Sequence, residues 1–232
     1  MKIAVLGDLH GNYVATQALE KELAKLRPDE IWFLGDAVGK CPQNVETCDW
    51  VRRHCTLCVG GNWDYGVGGK EFSEDGYFWD QLGEERLEWL RTLPQEADRW
   101  ISGVHFRLFH GRPVTPLMMV QADSSVFAQA FRAEDTTYTG IIFADSHRPF
   151  VRTLNDGYAV NTGSVGNSMG VNRAHCLIVE GEVGQQKKAP LMMSILSVPY
   201  DNEAAAEIAR QDAALPHRES YITEVLTGVY SR

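Results

Sequence analysis

Five short apolar runs in this chain each break off into an Asp, Asn or His, most of them beside glycine. No other feature narrows the fold as much. Residues 3–6 lead into Gly7-Asp8-Leu9-His10-Gly11-Asn12, and residues 31–34 into Gly35-Asp36-Ala37-Val38-Gly39. Residues 56–59 lead into Gly61-Asn62-Trp63-Asp64, 106–109 into His110-Gly111, and 141–143 into Ala144-Asp145-Ser146-His147. Short unbroken apolar runs of this kind suit interior strands covered on both faces. If they are strands of an open α/β sheet, their carboxyl ends gather along the edge where ligands bind. A single Gly-Asp reads as a turn or a helix cap, and a lone His as a satisfied buried side chain. Independent caps have no reason to fall at the end of five strands while also supplying carboxylate, amide and imidazole groups. The set points to a metal site.

Further strand-like runs occur at 158–160, 176–179 and 192–198. Helical periodicity lies between several of them. Ala15, Leu19, Leu23 and Leu26 share one face, with Asn12 placed as an N-cap. Helices are also expected over 43–53, 84–93, 126–132 and 202–214, with Leu87, Leu90 and Leu93 turned inward and Pro94 ending the second of these. Strand–helix alternation in the first half implies parallel crossovers. The later strands, separated by turns such as Asn155-Asp156-Gly157 and Glu180-Gly181-Glu182, are expected to form an antiparallel meander. The result is a layered α/β fold, read as one domain over 1–232 with a C-terminal helical tail at about 201–232. Tyr65, Phe72, Tyr77, Phe78 and Trp79, among glycines, read as a loop over the site.

Composition removes several functions. The formal charge of −9, from 22 basic and 31 acidic residues, argues against a broad nucleic-acid surface. It leaves a phosphorylated small molecule open, because bound cations reverse the local field. No apolar run reaches the roughly 18 residues of a membrane span, and 1–6 is too short for a signal peptide, so a cytoplasmic protein without membrane contact is expected. Homo-oligomerisation is left open. Cys41, Cys48, Cys55, Cys58 and Cys176 read as free thiols. Cys55 and Cys58 form a C-x-x-C, but without a second close pair core packing is the better reading than zinc.

Taken together, the motifs resemble the calcineurin-like metallophosphoesterases. The match is to a small bacterial and archaeal branch of phosphodiesterases and diadenosine tetraphosphatase-like proteins. That pattern runs D-x-H, G-D-x-x-G, G-N-H-D/E, H-G and G-H-x-H. Asn161-Thr162-Gly163-Ser164-Val165-Gly166 is similar to the branch's N-P-G-S-V-G turn, and Val198-Pro199-Tyr200-Asp201 to its last strand entering the tail helix. The resemblance implies an α/β/β/α sandwich of two mixed sheets flanked by helices. It also implies two divalent cations, Mn first with Fe, Zn or Mg as alternatives, bridged by Asp36. Asp8, His10 and His147 would complete one site, and Asn62, His110 and Asp145 the other. The implied reaction is hydrolysis of a phosphodiester or nucleotide phosphoanhydride by metal-bound hydroxide, with His10 and Asn62 supporting the transition state. Arg148, then Arg112 and Lys40, are the candidates for holding a substrate phosphate.

Two positions depart from the pattern. Asp145 replaces the first His of G-H-x-H; it either ligates as a carboxylate, adding negative charge that weakens attraction for a dianionic monoester, or points away. Trp63 replaces the His credited with protonating the leaving group, and an indole cannot do this at neutral pH. Good leaving groups are then favoured, and Trp63 itself reads as packing or as a stacking surface for a base. The competing expectation is a catalytically weak protein-binding module on the same fold, as in the retromer subunit. A protein serine/threonine phosphatase is disfavoured by the missing His and the short chain.

Overall fold

The computed structural model describes residues 1–115 and 125–231. Strand β1 (Lys2–Leu6) sends Ile3 and Val5 into one core and Ala4 and Leu6 into another. Both faces are covered, which is why the run is apolar at consecutive positions. Helix α1 (Tyr13–Leu26) starts at Asn12, whose Oδ1 accepts the Ala15 N–H at 3.1 Å, and it buries Ala15, Leu19 and Leu23. The β–α rhythm continues through β2 (Glu30–Leu34), α2 (Asn44–His54) and β3 (Leu57–Val59), with β1, β2 and β3 paired in parallel. The middle of the chain holds α3 (Asn62–Gly68), α4 (Gly76–Arg91), β4 (Glu96–Ile101) and β5 (Val104–Phe109). Then come α5 (Ser125–Ala130), the short pair β6 (Arg132–Ala133) and β7 (Thr136–Thr137), and β8 (Gly140–Phe143). The chain closes with β9 (Phe150–Leu154), β10 (Gly157–Asn161), β11 (Ala174–Glu180), β12 (Met192–Val198), α6 (Asn202–Gln211) and α7 (Arg218–Thr227).

Two mixed five-stranded sheets result, in the orders β12-β11-β1-β2-β3 and β4-β5-β8-β10-β9. They face each other across Ile3, Val5, Trp32, Leu34, Phe106, Leu108, Ile142 and Val160. The outer face of the first sheet packs against side chains of α1, α2, α4, α6 and α7, and the outer face of the second meets α5 through Phe127 and Ala130. Fully burying a side chain such as Phe33 or Phe106 is worth about 1.5–3 kcal/mol. The layered α/β/β/α sandwich with two mixed sheets is therefore the fold. Among the described residues no helix is long and apolar enough to cross a membrane.

The later strands expected as one antiparallel meander form two antiparallel pairs instead, β9 with β10 and β11 with β12, in different sheets. The Asn155–Asp156 turn makes a hairpin of β9 and β10, but β10 then pairs in parallel with β8, and β11 crosses to the other sheet to lie antiparallel to β1. β4 escapes the apolar pattern because it is an edge strand with polar, partly exposed side chains. The aromatic segment is helical rather than a loop: α3 and α4 hold Tyr65, Tyr77, Phe78 and Trp79, and Phe72 lies between them. The expected helix over 84–93 is the second half of α4, which bends at Gly83. The expected helix over 126–132 ends earlier, with Arg132 in β6, and that over 202–214 ends at Gln211; α7 follows, and Arg232 lies outside the described residues. All five cysteines are free thiols. Burial pushes those of Cys41, Cys48 and Cys176 up to about 12, which keeps them protonated packing groups.

Candidate metal centre

The carboxyl ends of β1, β2 and β3 in one sheet meet those of β5 and β8 in the other. The join is direct. The Asp8 N–H donates to Gly35 O at 2.9 Å, the Ala144 N–H to His110 O at 2.7 Å, and His110 Nδ1 reaches Leu34 O of the facing sheet at 2.6 Å. Asp8, His10, Asp36, Asp145 and His147 all have left-handed backbone, with φ of 55°, 49°, 61°, 59° and 57°. Each such residue costs about 1 kcal/mol or more, and strain of this kind persists where the surroundings fix it. Here it turns five side chains toward one centre.

These side chains are nearly shut off from solvent: Asp8 and His10 are 0 % exposed, His110 1 %, Asp36 2 %, Asp145 4 % and His147 6 %. His10 Nδ1 faces Val38 O at 3.2 Å, and His147 Nδ1 faces Asn167 O at 2.5 Å. A carbonyl only accepts, so each Nδ1 in the three imidazoles carries a hydrogen and each Nε2 is turned inward. Nε2 of His10, His110 and His147 lie 3.8, 3.8 and 3.4 Å from Asp8 Oδ1. Asp36 Oδ2 lies 3.6 Å from His10 Nε2 and 3.3 Å from His110 Nε2. Two donors each about 2.1 Å from one cation stand about 3–3.5 Å apart. The separations are close to that.

Two groupings with metal-ligand geometry result, Asp8–His10–His147 and Asp8–Asp36–His110. Three features make them fit divalent cations. Both oxygens of Asp8, and Oδ1 of Asn62, are buried without a hydrogen-bond donor. His10 Nε2 and His147 Nε2 face each other at 3.2 Å, an arrangement of two lone pairs that needs a proton or a cation between them. Burial opposes charging His110, yet the carboxylates of Asp36, Asp8 and Asp145 outweigh it and hold this imidazole well above its ordinary range, so a proton and a divalent ion compete for its Nε2.

A second ring of residues holds the first. Asp64 accepts the backbone N–H groups of Asp36 at 2.7 Å, Ala37 at 2.9 Å and Gly61 at 3.0 Å, fixing the loop after β2 against the loop after β3. Burial, then the charge of Asp36, pushes the Asp64 carboxyl up to about 7 against the pull of those donors. The turn over residues 161–167 clasps the other side. Ser164 Oγ and the Gly166 N–H both donate to Asp8 O, at 2.8 and 2.9 Å, and Asn161 Nδ2 donates to Ala144 O at 2.6 Å. Asn167 also accepts from Lys40 Nζ at 2.7 Å, and Lys40 in turn lies 3.9 Å from the buried Glu224 of α7.

A cavity of about 410 Å³ opens onto the centre. Asp36, Asn62, Asp145 and His147 line it together with Lys40, Arg112, Trp63, Phe72 and Phe78, and the C-terminal segment closes it with Pro216, His217 and Tyr230. Arg148, the first-ranked phosphate candidate, is exposed and not among the lining residues. Asp145 does not point away. It lies 3.9 Å from His110 Nε2, but its carboxylate is engaged by Arg112. Trp63 packs edge-on against His10 and Phe78, with ring centres 5.9 and 6.0 Å away. Sequence reasoning passed over Asp64 although it closes the G-N-x-D motif, and had no signal for Glu224 or Tyr230.

Comparisons with known proteins agree with this geometry. The profile described as the calcineurin-like phosphoesterase superfamily domain matches residues 1–184. An uncharacterized protein of Methanocaldococcus jannaschii is 29% identical over 231 residues, covering 88% of this chain and 90% of its own. The crystal structure of a metallophosphoesterase from Sphaerobacter thermophilus superposes with a TM-score of 0.74 at 26% identity, over 99% of each chain. A hypothetical protein from Pyrococcus horikoshii shares the fold with a TM-score of 0.80 at 20% identity, again over 99% of each chain.

Proposed function

The chain belongs to the calcineurin-like phosphoesterase superfamily, and from that membership we propose a hydrolase using two divalent cations, acting on a phosphodiester or a nucleotide phosphoanhydride. One observation carries the reading: the buried carboxylate of Asp8, both of its oxygens without a hydrogen-bond donor, shares a centre with Asp36 and three imidazoles whose Nε2 atoms are turned inward. Asp8, His10 and His147 would hold one cation, and Asp36, Asn62, His110 and Asp145 a second, with Asp36 Oδ2 placed between His10 and His110. Carboxylate and imidazole donors suit Mn first, then Fe, Zn or Mg. When bound, such a pair supplies Lewis acidity toward a phosphoryl oxygen and lowers the pKa of a coordinated water.

The chain's own residues define the rest. Asp64 and the 161–167 turn hold the ligand loops rigid, so that reacting groups stay within the narrow tolerance that in-line displacement requires. Lys40 and Arg112 bring positive charge to the cavity and are suited to orient non-bridging phosphate oxygens. Trp63 has no proton to give a departing oxygen at neutral pH, which favours phosphate or aryl leaving groups. The aromatic cavity wall of Trp63, Phe72, Phe78 and Tyr230 suits a planar base or aryl group beside the phosphorus. The docking-module alternative has no comparable observation behind it.

Purified protein with added Mn should hydrolyse bis-p-nitrophenyl phosphate, and Asp36→Asn should abolish this while leaving the fold intact by circular dichroism. The reading fails if the protein holds less than one equivalent of metal and turns over no diester with Mn, Fe, Zn or Mg.

A further inference from the structure

We infer that Arg112 and a divalent cation compete for the carboxylate of Asp145, so that this guanidinium sets how tightly the second cation is held. The inference rests on the metal reading above and concerns only its outer member. Asp145 is gripped along one edge of the guanidinium. Arg112 Nε donates toward Oδ1 and Oδ2 at 3.1 and 3.0 Å, Nη2 donates to Oδ1 at 2.6 Å, and the Arg112 backbone N–H reaches Oδ2 at 3.2 Å. Oδ1 is also the atom 3.9 Å from His110 Nε2, which a cation shared by His110 and Asp145 would have to approach. A dication about 2.1 Å from that oxygen would sit against the guanidinium, and two positive groups on one nearly buried oxygen repel strongly.

The two partners differ in freedom. The Asp145 side chain is 3% exposed, whereas that of Arg112 is 45% exposed and lines the cavity. Arg112 is thus the member that can leave, and a phosphate entering the cavity offers its guanidinium a replacement bidentate partner. Neither grouping counts Asp145 among its three donors, but Asp8–Asp36–His110 holds the imidazole whose Nε2 lies 3.9 Å from Asp145 Oδ1. The first cation should therefore feel Arg112 less than the second does. The second should bind weakly alone and more tightly with phosphate, since any ligand that draws off the guanidinium must favour the cation by the same factor.

Mn titration by calorimetry of wild type, Arg112→Met and Asp145→Asn, each with and without inorganic phosphate, tests this without turnover. Wild type should show one tight equivalent and a second about tenfold weaker or more. Arg112→Met should strengthen the second by about tenfold and the first by much less. Phosphate should strengthen the second in wild type but not in Arg112→Met. Asp145→Asn should weaken the second and leave the first. An unchanged or weakened second equivalent in Arg112→Met, or an unchanged one in Asp145→Asn, overturns the competition. Absence of any Mn binding in wild type would instead remove the metal reading itself.

Discussion

Replacing Gly166 by alanine tests whether the 161–167 turn positions the candidate metal ligands. A Cβ at 166 would stand 1.9 Å from Leu9 O, 2.8 Å from the Leu9 carbonyl carbon and 2.9 Å from Asn12 Cβ. A carbon–oxygen contact needs about 3.3 Å, so either the turn or the loop from Asp8 to His10 must retreat by about 1.4 Å. That retreat breaks the bonds from the Gly166 N–H to Asp8 O and from Asn12 Nδ2 to Gly166 O, both 2.9 Å. Two bonds at about 1 kcal/mol each, with about 1–3 kcal/mol for overpacking, give a destabilisation of about 3–5 kcal/mol. Because Asp8 and His10 flank Leu9, Mn affinity should fall as well, and a misplacement of this size costs about a hundredfold in turnover. Urea unfolding with Mn titration is the assay. Gly184→Ala is the control: nothing lies within 4 Å of its Cβ, so only the cost of its positive φ, about 1 kcal/mol, is expected. A Gly166→Ala protein within about 1 kcal/mol of wild type and with normal Mn binding would refute the clamp.

Asp64→Asn should cost about 2–4 kcal/mol in urea unfolding, because an amide nitrogen must face at least one of the three backbone N–H donors that the carboxylate now accepts. His175 is held between Ser168 and Ser197, and burial with nearby Arg173 lowers its pKa to about 4 from 6.5. The unfolded chain therefore takes up the proton first as pH falls. Stability is full above pH 6.5 and drops toward pH 4 by at most about 3 kcal/mol, a slope that His175→Gln should remove when urea midpoints at pH 7 and 4.5 are compared. Tyr230→Ala, at the mouth of the cavity, should raise KM for bis-p-nitrophenyl phosphate about 3- to 10-fold with Mn stoichiometry unchanged, as loss of one aromatic contact predicts. An unchanged KM would place the aryl group elsewhere.

The candidate ligand set is legible in the sequence because it is a local property of strand ends. Asp8, Asp36 and Asn62 follow three parallel strands of one sheet and His110 and Asp145 two of the other, so chain position assigns each to the carboxyl edge of its own sheet, and the packing of the sheets brings the two edges together. The inner strands are readable for the same reason, since burial on both faces favours apolar side chains, with Arg107 of β5 and His175 of β11 as exceptions. β4 is not, because an edge strand can be polar and still satisfy half its backbone through one neighbour.

Residue identity and the places of the inner strands along the chain are thus written in the sequence. Partner choice is not, since it depends on which groups come within hydrogen-bond reach after packing. β10 is already paired on both edges by β8 and β9, so β11 joins the free edge of β1, and the turns between the strands carry no trace of it. The sequence offers Asp145 as a carboxylate near a histidine; only the tertiary structure brings Arg112, 33 residues away, onto it. The same holds for Glu224 and Tyr230, which reach the site because α6 and α7 fold back over the first sheet.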